Sequence, residues 1–375
     1  MSNRPEPTGE YAVGTFTYTV FNDREELLEP GSQRSIPVRV YYPVLKESVK
    51  DMTKAKYMTK EMAQGLSKAM GFPINYDKED AAGNNVSNCY QDAPKIEGKK
   101  FPLVVFNHGL MSFRESNSFL CIELASHGYV VISVGHPHEA GCTELDDGTK
   151  LYFKKEIKKK QFEPYFKGMK ETMKLIKAKD VDERVLAQRF DEVQRNYSPL
   201  IFNRVTEWAK DSIAAVKYAK DNLSEMIDFE CGIGVTGHSL GGATAYVLCL
   251  DYPEFVCGVN LDGALYGDTT GKVLTKPFIQ IGCKENYNLE TRPFLDHKSP
   301  VWSVFFSDMK HMGFSDLKHA VNVKMLVGKL DADVVHDTVC KYHLELFDTY
   351  IKKTKEKPVI EGDESVSVKE YAPDL

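Results

Sequence analysis

The stretch that decides the fold is ECGIGVTGHSLGGATAYVLCL, Glu230 to Leu250. Its first half, GIGVT, is a short apolar run rich in β-branched residues and reads as a buried strand. Its second half, GGATAYVLCL, reads as a helix that stops before Pro253. Between them stands GHSLG, a G-x-S-x-G pattern with Ser239 at its centre. The pattern makes a steric demand. A strand that turns at once into a helix holds the serine in a strained conformation with its hydroxyl exposed, and small neighbours let the backbones approach. The serine also falls at the positive end of the helix.

The surrounding sequence repeats the strand–helix theme. FPLVVFNHG (Phe101 to Gly109) and GYVVISVGHP (Gly128 to Pro137) are continuous apolar runs bounded by glycine. Such runs fit strands covered on both faces, and hence a mostly parallel sheet. SNSFLCIELASHG between them has helical spacing and a glycine stop, which completes a βαβ unit. LIFNRVTEWAKDSIAAVKYAKDNL (Leu200 to Leu223) is an amphipathic helix that leads into the serine strand. CGVNLDGAL, KPFIQIGCKE and VWSVFFSD follow as further strands, and ADVVHDTVCKYHLELFDTYIKK as a closing helix. Upstream, TFTYTVFND and SIPVRVYYPV alternate with period two and predict an antiparallel hairpin. The expected architecture is α/β: an α/β-hydrolase fold with helices on both faces of the sheet, an N-terminal hairpin and a helical insertion. One domain is expected over residues 1–375, with the insertion at about 151–199 and a charged surface tail at about 353–375.

The insertion is lysine-rich. It reads as a solvated helical excursion, or as a lid, or as a basic, aromatic-bearing surface that contacts anionic lipid interfaces transiently.

Composition narrows the function. The 375 residues carry a net charge of -6, which argues against nucleic acid as a partner. No apolar run reaches the length of a membrane span, and the N-terminus has no apolar secretory core. A cytoplasmic location is therefore expected. The eight cysteines form no CxxC pair, so no metal site is expected, and without a secretory core they are expected to be reduced thiols; no cofactor is expected. The sequons at Asn85 and Asn196 then carry no glycan.

A serine nucleophile needs a base, and the base needs an acid to orient it. In this fold the chain order is serine, then acid, then histidine. His297, His311, His319, His336 and His343 lie downstream of Ser239. His311 is the candidate base, because it follows VWSVFFSDMK just past a core strand. His336 and His343 fall on the closing helix, and His297 and His319 in loops. Two acids qualify equally: Asp262 ends one strand and Glu285 the next, both at the carboxyl edge where such sites form. An oxyanion needs backbone N–H donors, expected from Leu240, the residue after the serine, and from Leu110 in the HGL loop. His108 is expected to brace that loop rather than to move protons.

Together these blocks resemble the platelet-activating factor acetylhydrolase family and its bacterial lipase-like relatives. The likeness lies in FNHGLMSFRESNSFLCIELASHGYVVISVGHP, GHSLGGAT and CGVNLDGAL, and extends to TGEYAVGTFTYTVFND, VRVYYPV and KEMAQGLSKAMGFP. The resemblance implies Ser239 as nucleophile, His311 as base, Leu110 and Leu240 as oxyanion donors, and Asp262 rather than Glu285 as acid. It implies metal-free release of short or oxidised acyl groups from phospholipids or simpler esters. LDGALYG departs from the family's LDAW-like stretch and SVGHPHEA from its EHRD-like one, which leaves the substrate open. A generalist lipase or carboxylesterase and a non-catalytic binding protein are the alternatives.

Overall fold

The computed structural model describes residues 4–71, 73–321 and 323–373; for 158–167 it describes the main chain alone. The strands are β1 (Ala12–Glu25), β2 (Gln33–Val44), β3 (Lys54–Lys56), β4 (Val86–Gln91), β5 (Phe101–Asn107), β6 (Val130–Val134), β7 (Cys142–Glu144), β8 (Lys150–Tyr152), β9 (Ile227–His238), β10 (Phe255–Leu261), β11 (Phe278–Cys283), β12 (Val301–Phe306) and β13 (Val366–Tyr371). The helices are α1 (Lys60–Met70), α2 (Tyr76–Ala81), α3 (Ser118–Ser126), α4 (Lys155–Ile176), α5 (Glu183–Tyr197), α6 (Pro199–Asn222), α7 (Leu240–Asp251), α8 (Leu317–Ala320), α9 (Lys324–Val327) and α10 (Ala332–Tyr350).

All the strands except β7 and β8 form one sheet, ordered β13-β12-β11-β10-β9-β5-β6-β2-β1-β4-β3. From β6 across to β12 every pairing is parallel. The hairpin β1–β2 joins antiparallel to β6 through β2, as its period-two pattern predicts. This is the α/β-hydrolase architecture, with the serine-bearing β9 at the middle of the parallel part.

The central strands β5 and β6 are buried along their whole length because both faces are covered. Along β5, Leu103 and Val105 point into one core with Trp208 and Val216 of α6 and Val247 of α7. The intervening Val104 and Phe106 point into the other, with Leu120 and Leu124 of α3 and Leu346 and Phe347 of α10. Burying each of these side chains is worth roughly 1.5–3 kcal/mol.

The tail corrects the sequence reading. Its residues 366–371 are not a surface extension but strand β13, paired antiparallel with β12. Val366 is buried, and Tyr371 stacks on Phe294 with ring centroids 4.6 Å apart. Charged residues in VSVKEY mask the alternation, because the strand closes a sheet edge and keeps one face in water.

The insertion is helical. Leu175 at the end of α4 packs with Leu186 and Phe190 of α5 and with Leu289 from the body. Asn288 Nδ2 donates to the Leu175 and Ala178 carbonyls at 2.8 and 3.0 Å, closing the C-terminal end of α4. Arg292 pairs with Asp191 of α5, and the Tyr371 hydroxyl donates to Glu183 Oε1 at 2.6 Å. The basic and aromatic side chains between 158 and 167, on which the membrane-surface reading rests, lie outside the described residues. Among the described residues, no helix is long and apolar enough to cross a membrane.

Candidate active site

The carboxyl ends of the parallel strands deliver the candidate residues, as such sheets do. Ser239 follows β9 at φ 58°, and Asp262 follows β10 at φ 51°. Both conformations are strained for a residue with a side chain. Met111 and His138, at φ 64° each, lie in the neighbouring loops, so four of the seven positive-φ non-glycine residues described gather here. Ser239 is held by its own amide, which donates to the Leu261 carbonyl at 2.9 Å. The flanking glycines are obligatory: a Cβ on Gly241 would stand 2.0 Å from the Asn107 carbonyl oxygen, and one on Gly237 2.3 Å from that of Gly241.

His311 bridges the two strained residues. Its Nε2 lies 2.9 Å from Ser239 Oγ, and its Nδ1 lies 2.6 Å from Asp262 Oδ2. With the proton on Nδ1 donated to the carboxylate, the Nε2 lone pair faces the serine hydroxyl. Asp262 is fully buried and held in turn by the Cys283 amide, at 2.7 Å on Oδ1, and by Asn286 Nδ2, at 3.1 Å on Oδ2. Burial pushes the His311 pKa down. The hydrogen bond to Asp262 and the charges of Asp262 and Glu285 outweigh it, and the imidazole ends above its ordinary value.

The two acids that the sequence left equal have separate places. Glu285 Oε2 accepts the main-chain N–H of His311 at 2.8 Å, and its Oε1 pairs with Lys310 at 3.0 Å. It positions the backbone of His311 and does not touch the ring.

The Leu110 and Leu240 amides have no hydrogen-bond acceptor among the described residues, and both residues line the cavity that holds Ser239 and His311. Next to Leu110, Gly109 permits close approach, since a Cβ there would be 3.1 Å from the Ser239 Cβ. His108 is buried and braces the loop: its ring lies 2.7 Å from the Gly109 carbonyl through Nδ1, and its Nε2 accepts the His136 amide at 3.2 Å. Burial, followed by the nearby His136, keeps it neutral.

The remaining histidines stand elsewhere. His343 is buried at 2.8 Å from Thr236 Oγ1. His319, expected in a loop, lies on α8 and meets His336 of α10 edge to face, and the His297 ring contacts the Ser299 carbonyl.

Sequence reasoning missed three features. His238, the variable residue of the serine motif, stacks on His311 with centroids 4.8 Å apart and lies 3.0 Å from the His311 carbonyl through Nε2. Burial and the neighbouring His311 push its pKa down to about 3, so it is neutral. Glu290 is buried, and burial and the Asp262 charge hold its carboxyl well above the ordinary range. A buried ionic cluster also braces the loop that carries Leu110. Arg34 binds Asp211 through Nε at 2.7 Å and Nη2 at 2.6 Å, and meets Glu26 at 2.5 Å. Arg204 forks onto Glu139 at 2.6 and 2.5 Å, and the Glu139 carbonyl accepts the Met111 amide at 2.8 Å. His136 stacks on Trp208 at 3.8 Å, with Nδ1 2.9 Å from Asp211. These residues come from the turn after β1, from β2, from α6 and from the SVGHPHEA stretch, and no local pattern joins them.

The cavity over Ser239 measures about 480 Å³. Thr172, Met173 and Ile176 of α4 form one wall, and Ala264, Tyr266 and Leu289 another. The arrangement suits a hydroxyl nucleophile attacking an acyl carbonyl held in a largely apolar chamber.

A family model described as platelet-activating factor acetylhydrolase, isoform II, matches residues 2–291. The match carries Ser239, Asp262 and Glu285 and ends before His311. The platelet-activating factor acetylhydrolase of Cavia porcellus is 25% identical over 389 aligned positions, covering 98% of this chain and 83% of that protein. That of Canis lupus familiaris is 27% identical over 252 positions, covering 65% of this chain. The chain spans about half the length of the canine relative, 51%. Among solved structures, a ferulic acid esterase from Streptomyces cinnamoneus has the same fold, with a TM-score of 0.70 at 20% identity over 96% of this chain and 97% of that one.

Proposed function

Because the chain belongs to the platelet-activating factor acetylhydrolase isoform II family, we propose that it is a serine carboxylic-ester hydrolase. The observation that carries this reading is the continuous line of contacts from Ser239 Oγ through His311 to Asp262, at 2.9 and 2.6 Å. Ser239 attacks the ester carbonyl while His311 Nε2 takes its proton. Asp262 fixes the tautomer and stabilises the imidazolium. The Leu110 and Leu240 amides receive the oxyanion, and removing such a donor costs roughly 2.7–4 kcal/mol of barrier lowering. His311 then returns the proton to the leaving alcohol. Water, activated by the same base, hydrolyses the acyl-enzyme.

The substrates under this reading are short or oxidised acyl esters, among them the sn-2 acyl group of phospholipids. Helices α4 and α5 act as a lid, since α4 supplies Thr172, Met173 and Ile176 to the chamber wall. A generalist carboxylesterase would share the same machinery. Purified protein assayed on a 2-acetyl phospholipid beside p-nitrophenyl esters of rising chain length separates the two. A kcat/KM at least tenfold higher for the phospholipid than for p-nitrophenyl acetate supports the phospholipid reading, and the reverse supports the generalist.

A further inference from the structure

A second cavity lies away from Ser239. It measures about 240 Å³, and its walls are Tyr57, Leu66, Met70, Ile74, Phe113 and Leu317. Three charged residues of different standing line this apolar space: Arg4, Asp316 and Glu79, the last accepting from Asn84 Nδ2 at 2.9 Å. Asp316 is fully engaged: it accepts from the Ser118 hydroxyl at 2.8 Å, the Tyr57 hydroxyl at 3.1 Å and the Phe119 amide at 3.4 Å. Arg4 is not. Its guanidinium lies over the Tyr57 ring, 5.0 Å from the centroid, and its Nη2 donates to the Asn84 carbonyl. Its Nη1 is buried with no acceptor among the described residues.

A buried guanidinium N–H without an acceptor is costly, and the planar fork is shaped for a carboxylate. The nearby Ser116 hydroxyl is already spent on Asn117 at 3.1 Å, which leaves Arg4 Nη1 as the charged donor for a ligand head, beside the Glu79 and Asp316 carboxyls. We propose that this cavity binds a monocarboxylate with an unbranched apolar chain, its head on Arg4 Nη1 and its chain among the Tyr57, Leu66, Ile74 and Phe113 side chains. The site differs from the ester site and does not depend on it. It does touch it: Met312, which follows the base His311, and Ser112, two residues past Leu110, line the same chamber. An occupant therefore meets both segments that flank the chemistry.

The test uses calorimetric titration of decanoate into full-length Ser239→Ala protein, so that no turnover intervenes. Binding should saturate at one site. Decanol should bind at least about tenfold more weakly, because a hydrogen bond to a buried charged group is lost. Arg4→Gln should weaken decanoate by a similar factor, and Arg4→Lys, which keeps the charge without the fork, should recover part of it. Ile74→Trp should block the chamber, while Ala264→Trp, in the Ser239 cavity, should leave binding unchanged. Absence of saturable binding overturns the proposal. So does equal binding of decanol and decanoate, or affinity indifferent to Arg4→Gln. Binding lost in Ala264→Trp and kept in Ile74→Trp would put the ligand beside Ser239, and tighter binding of octyl phosphate than decanoate would overturn the choice of head group.

Discussion

Glu285 holds the main chain of His311, with Oε2 2.8 Å from its amide nitrogen, and leaves the imidazole to Asp262. Two carboxylates thus stand near one imidazole and contact different parts of the residue. Asp262→Asn should lower kcat on p-nitrophenyl acetate on the order of 10³–10⁴-fold, because the wrong tautomer is then favoured. Glu285→Gln keeps an acceptor for the His311 amide and should cost less than about tenfold. Steady-state kinetics of the two variants read the difference directly.

Under the proposed mechanism His311 must be neutral to accept the Ser239 proton. Asp262 and Glu285 raise the His311 pKa against the effect of burial. Activity is therefore lost as pH falls through a value above the ordinary histidine figure of about 6.5. Glu285→Gln removes one raising charge and should move this acid limb to lower pH. A kcat/KM profile from pH 5 to 9 (roughly the histidine titration range) checks the direction of the shift.

Asp316 gives a stability prediction of opposite character. Burial raises its carboxyl to about 7, so the folded protein binds a proton that the unfolded chain releases near 4. Stability from this group is present below about pH 4 and is lost as pH rises toward 7. Asp316→Asn should flatten the fall between these values, which corresponds to about 4 kcal/mol for a shift of this size. Urea unfolding of both proteins at intervals from pH 4 to 7.5 measures it.

Asp211 anchors the buried ionic cluster. Its loss leaves Arg34 with a smaller set of acceptors in a fully buried position. Asp211→Ala should destabilise the protein by roughly 3–5 kcal/mol, the usual cost of removing one partner of a buried pair. Because the same cluster carries Glu139, whose carbonyl fixes Met111 beside Leu110, kcat should fall as well. Denaturant midpoints and kinetics on the folded fraction separate the two effects.

The sheet centre was legible in the sequence because β5, β6 and β9 are buried on both faces and leave continuous apolar runs. The serine turn was legible because sterics forces glycine at Gly237 and Gly241. Asp262 and Glu285 could not be separated by spacing alone: each follows a core strand, and only the distance to the His311 ring tells them apart. β13 stayed hidden because an edge strand with one wet face carries charges like any tail. The Arg34–Asp211–Glu139–Arg204 cluster was invisible for a deeper reason. Its members are separated by up to 177 residues, as between Arg34 and Asp211, and each looks locally like a solvated charge.

The central claim is that Ser239 is the nucleophile. The most direct measurement is intact-mass and peptide analysis after treatment with a fluorophosphonate, on the wild-type protein and on Ser239→Ala. One adduct on the Ser239 peptide, loss of esterase activity in step with labelling, and an unlabelled, inactive Ser239→Ala protein with an unchanged thermal midpoint are the predicted results. A label on another residue, or a folded Ser239→Ala variant that keeps most of its esterase activity, would contradict the account.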